Sequence, residues 1–155
     1  AQDDPPPEAA PPPLKIISKD EKKILDSEND VKKRVKISLG MMDARLIKAE
    51  KLNLEESFKE SLDELAGFHA LVDNTLSYLF TKDTGSDKID KRFITLEIYL
   101  RKQIPRLETI RREMPSKYSY HVGKLMKAVR DARAKAVEPL FSDSVVPTSK
   151  KPNEN

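Results

Sequence analysis

The chain has 155 residues, 37% hydrophobic and 35% charged, which suits one small domain with a single core and a heavily charged surface. Cysteine and tryptophan are absent, and this excludes disulfides, zinc-thiolate sites, covalent haem attachment and thiol nucleophiles. A net charge of +3 is too small by itself to argue for nucleic acid, and no apolar run approaches the roughly 20 residues that span a bilayer.

The first residue is not Met, and Ala1-Gln2-Asp3-Asp4 reads as the residues left by signal-peptidase cleavage. An excised fragment begins in the same way. The expectation is a periplasmic or secreted protein, free rather than lipid-anchored because position 1 is not Cys. Residues 1–13 hold Pro5-Pro6-Pro7 and Pro11-Pro12-Pro13 with Asp3, Asp4 and Glu8 and no large apolar side chain. Such a segment buries too little surface to offset its ordering entropy, so it is expected to be polyproline II or disordered, a spacer rather than a ligand for a proline-reading module.

A helical domain is expected over 14–141. Leu14, Ile16 and Ile17 precede Ser18-Lys19-Asp20-Glu21, a capping box that starts a helix. Ile24, Leu25, Val31, Val35, Leu39, Met42, Leu46 and Ala49 continue an apolar stripe, with a break expected near Asn29. Asn53 is the expected cap of the next helix, with Glu55 and Glu56 in its first turn. Ile47, Leu54, Phe58 and Leu62 also keep a heptad phase, which leaves one unbroken helix as the alternative, and a long helical hairpin if Pro115 is likewise only a kink.

The stretch from Leu54 to Phe80 carries the strongest signal. Phe58, Leu62, Leu65, His69, Val72, Leu76 and Leu79 recur at steps of three and four, and Phe68, Leu71 and Phe80 widen the stripe, so this helix needs neighbours on more than one side. Lys82 to Asp87 reads as a loop around Gly85. A third helix follows from Ser86, kinked at Pro105 and closed by Pro115. Tyr118, Val122, Leu125, Val129, Ala132 and Ala136 define a fourth that ends at Glu138 before Pro139. Leu140 and Phe141 are expected to pack back on the bundle, and residues 142–155 to be a disordered tail. The fold predicted is an all-α antiparallel four-helix bundle with disordered ends.

No motif assigns a reaction. Neither His69 nor His121 has a Glu three residues before it, as a carboxylate-bridged bundle site requires, and His69 in its apolar stripe reads as a core residue. Methionines at the spacings of Met41, Met42, Met114 and Met126 read as packing rather than haem ligands. Neither Gly-x-Ser-x-Gly nor a glycine-rich phosphate loop occurs, and Gly40, Gly67 and Gly123 fall inside helices, where close helix contact is the expected reason for them. No catalytic residue, metal or cofactor is predicted.

The charge distribution is the remaining feature. From Arg101 to Lys135 eleven Lys and Arg stand against three acids, whereas residues 54–73 carry six acids against Lys59. The plain reading is that the second long helix offsets the basic half across the bundle. The sharper reading is an anion-binding module in which Lys124, Lys127 and Lys135, a stripe interrupted by Asp131, meet an anionic surface. No stacking aromatics interleave with these bases, so no specific nucleic-acid recognition is expected. The leading expectation is a non-enzymatic exported domain that acts by binding another protein.

Overall fold

The structure is a computed structural model describing residues 4–150, the last nine of them by backbone alone. Among the described residues it holds five α-helices and no strand: α1 (Lys19–Ser27), α2 (Val31–Leu54), α3 (Phe58–Lys82), α4 (Asp87–Glu113) and α5 (Ser116–Lys150). None of them is long and apolar enough to cross a membrane. The all-helical expectation is met, with one helix more than predicted.

The capping box forms as read: the Glu21 N–H donates to the Ser18 hydroxyl at 3.1 Å, and the Ser18 N–H to the Glu21 carboxylate at 3.0 Å. The break near Asn29 separates α1 from α2, whose N-cap Asp30 accepts from the Lys33 N–H at 2.9 Å. The loop at Gly85 is also where it was expected, with Ser86 capping α4.

The α2–α3 turn lies where it was sought but is built differently. Asn53 is not the cap of α3: it is buried in the last turn of α2 and donates from its side chain to Glu113 at 3.0 Å. The chain turns instead at Glu56, left-handed with φ 61°, while the Ser57 N–H reaches back to the Leu52 carbonyl at 2.9 Å. This is the Schellman arrangement, made without glycine. Ile47 and Leu54, which suggested an unbroken helix, are 55% and 77% exposed, so the heptad phase corresponds to no buried seam.

α4 runs through Pro105 as expected, but one other boundary is corrected: α5 continues through Pro139 to Lys150 instead of stopping at Glu138. Each proline removes one helical hydrogen bond; the Pro139 ring is itself buried, so packing offsets part of that loss. Beyond it Phe141 is 67% exposed rather than packed back. The tail expected over 142–155 therefore begins inside α5, and its last five residues lie outside the described ones.

Side-chain contacts give the directions. Arg34 to Asn74, Arg45 to Glu64 and Ser61 to the Ala49 carbonyl make α2 and α3 antiparallel. Arg133 to Glu97 does the same for α4 and α5. Across the two hairpins the partners run the same way: Arg106 meets Asp43 and Glu50, and Asn53 meets Glu113, between α2 and α4. The rings of Phe58 and Tyr118, 5.5 Å apart, join the starts of α3 and α5. Leu46, Leu65, Phe68, Leu71, Leu79, Phe93, Leu96, Leu100, Leu107 and Val129 fill the core between the hairpins.

The glycines separate by what lies over them. A Cβ at Gly67 would stand 2.4 to 2.8 Å from the Arg45 guanidinium, which pairs there with Glu21 at 2.6 Å and Glu64 at 3.2 Å, whereas Gly40 faces open space. Close contact thus accounts for Gly67 but not for Gly40. Gly40→Ala is expected to stabilise by about 0.5–1 kcal/mol through helix propensity alone. Gly67→Ala should lose that gain by displacing Arg45, and should recover it in an Arg45→Ala background. Urea titration of the four variants checks this, and equal effects of the two alanines in the parent chain would contradict it.

Candidate binding groove between α3 and α5

α3 and α5 run side by side, and the residues between them are small or aliphatic: Leu62, Leu65 and Ala66 from α3, Val122, Leu125 and Ala128 from α5. Two of the six are alanines, whose small side chains leave a groove along the seam. It is crossed by the proline-rich segment that composition marked as a free spacer. The Ala10 N–H donates to the Lys117 carbonyl at 2.9 Å, and the His121 ring Nε2 donates to the Ala10 carbonyl at 2.5 Å. Five residues on, Lys15 pairs with Asp73 of α3 at 2.6 Å. Ile17 then packs against the core and Ser18 opens α1. Residues 10 to 18 are thus tied down at both ends, with Pro11-Pro12-Pro13 between the ties.

This strap covers the groove without filling it. On one side a cleft of about 810 Å³ lies between Ala9 to Leu14 and Lys59, Leu62, Asp63 and Tyr118. On the other a cleft of about 480 Å³ lies under Pro12 and Pro13, edged by His69, His121, Lys124, Lys127 and Asp131. Lys124 and Lys127 also border a third cleft with Pro6, Arg111 and Tyr120.

Both histidines of the chain therefore face the strap. His69 is only half-buried, at the edge of the groove, with Nε2 3.7 Å from Asp73. Burial pushes its imidazole below the ordinary value; Asp73 opposes the shift and Lys15 adds to it. Among the described residues no group of three or more His, Cys, Asp or Glu is placed to hold a metal ion.

Of the three lysines read as a stripe, Lys124 and Lys127 are brought together beside the groove, and Lys135 lies farther along α5, away from these clefts. The ion pairs do not follow the plain charge reading. The acids of α3 pair with Arg45 and Lys48 of α2, with Lys59 of their own helix and with Lys15 of the strap. In the basic half, Arg106 pairs with Asp43 and Glu50, Arg101 and Arg133 with Glu97, and Arg111 and Arg112 with Glu108. Hydrogen bonding to Glu50, against the cost of burial, holds the Arg106 guanidinium firmly charged. Sequence reasoning missed Ala10, Lys15 and Asp73, whose only trace is the small-residue pair Ala9-Ala10 followed by Leu14, Ile16 and Ile17.

Comparisons with protein-family models, with curated proteins and with solved structures find no match for this chain.

The His69 shift predicts a pH dependence. The unfolded imidazole binds a proton more readily than the folded one, so this stability is complete above the unfolded value near 6.5 and is lost as pH falls through the lower folded value. His69→Leu should therefore flatten the loss of melting temperature between roughly pH 7 and pH 5. Thermal melts of parent and variant across that window check it, and parallel curves would contradict it.

Proposed function

We propose that this chain is a non-enzymatic protein-binding module, a pair of antiparallel helical hairpins forming a four-helix bundle with α1 as an added segment, and that the α3/α5 groove is its binding surface. The observation that carries this reading is the strap: the groove already receives extended polypeptide. It does so through the backbone carbonyl of Lys117, the ring Nε2 of His121 and the side chain of Asp73. The apolar floor offers contact area, and the clefts beside the strap offer room for side chains that the strap does not supply.

A second reading, an anion-binding module, is favoured by the convergence of Lys124 and Lys127 with Arg111 around one cleft. The ion pairing weighs against it as the main activity, because the arginines of the basic half, the better anion ligands, are largely engaged with Asp43, Glu50, Glu97 and Glu108.

Retention on a heparin matrix separates the two. The parent is expected to elute at low salt, and Lys124→Glu/Lys127→Glu/Lys135→Glu to elute close to it, because few phosphate-like contacts are released. Strong retention that falls steeply with salt and vanishes in the triple variant would overturn the protein-binding reading.

A further inference from the structure

The strap is a poorly fitting occupant of its own groove. Its Leu14 and Ile16 side chains, at the rim of the larger cleft, are left 78% and 62% exposed, while alanine and proline lie over the groove and Ile17 alone of these apolar residues packs against the core. The side-chain tie between Lys15 and Asp73 joins two half-exposed groups, an arrangement that contributes little to stability. Clefts remain open on both flanks. Resting on the proposed protein-binding function, we infer that the strap holds the place of a partner, and that the partner is an extended, proline-rich chain carrying acidic residues on the N-terminal side of its prolines.

Three features give that chemistry. The groove asks the bound chain for one carbonyl, to accept from His121, and one N–H, to donate to the Lys117 carbonyl; both come from Ala10. The three prolines that follow Ala10 satisfy this pattern, since they add no further donor to leave unpaired, and their restricted backbone lowers the ordering cost of binding. Upstream, the chain passes Pro6 beside Arg111, Lys124 and Lys127, with Asp4 and Glu8 on either side of that proline in sequence. Acid on the bound chain thus runs toward the basic border of the groove, and the uneven charge of the bundle gains a role as the complement of an acidic segment.

The test uses the full chain with its strap loosened. Ala10→Pro removes the N–H given to Lys117, and Lys15→Glu sets like charge against Asp73; Lys15→Glu alone serves if the double variant does not fold. The probe is a synthetic peptide with the sequence of residues 1–17. The loosened variant should bind it about tenfold more tightly than the parent does, with the His69 and His121 ring resonances moving on titration. Peptide with Asp3→Asn, Asp4→Asn and Glu8→Gln should bind several-fold more weakly, and peptide with alanine for every proline weaker still. Equal affinity for all three peptides would overturn the assigned chemistry while leaving the groove a chain-binding surface. A released His121 ring with no peptide bound would overturn both readings. A dimer that grows with protein concentration in the loosened variant would give the groove to a second copy, and would overturn the inference.

Discussion

Burial of α3 on two sides is the constraint on which the other features depend. Leu62, Leu65, Phe68, Leu71, Val72, Leu76 and Leu79 are all buried, and they cover too much of the helix circumference for one neighbour. Each such side chain contributes about 1.5–3 kcal/mol when removed from water, so exposing either side of α3 would exceed the net stability of an ordinary small domain. α2 covers one side as the antiparallel arm of the same hairpin. α5 covers another, and because it comes from the second hairpin it runs beside α3 in the same direction. The α3/α5 seam is therefore formed by two helices with no direct connection, and no short turn closes it over.

Charge completes what burial begins. Arg45 lies over Gly67, bonded to Glu21 of α1 and Glu64 of α3, and so links three helices through one guanidinium. Arg106 does the same between α4 and α2. A planar guanidinium can hold two carboxylates at once, a task for which a lysine is poorly shaped. Lys124, Lys127 and Lys135 remain at the surface. Arg45 and Arg106 thus sit in the joints between helices, whereas Lys124 and Lys127 stand at the border of the groove.

Helix positions were legible wherever the signal is local. Ser18 with Glu21, Asp30, and the run from Lys82 to Asp87 each announce a helix end through their own side chains. The stripe of α3 could be read because packing imposes a period on sequence. The α2–α3 turn was harder, because it uses Glu56 in a left-handed conformation that glycine ordinarily marks. Pro139 misled because a proline's cost to a helix is visible in sequence and its burial is not. The groove was hardest of all. Its strap is held by the backbone of Ala10, and a backbone hydrogen bond leaves no mark on residue identity. For the same reason His69, read as a core residue among Leu65, Val72 and Leu76, stands half-buried at the groove edge, and His121, which no spacing singled out, supplies a direct contact.

The central claim is that the proline-rich segment lies in the α3/α5 groove of the folded chain. Nuclear Overhauser contacts in the full-length protein test it most directly. Cross-peaks are expected between the His121 ring protons and Ala10, and between Ala10 and Lys117 or Tyr118. Random-coil shifts across residues 4–13 with no such cross-peaks would contradict it.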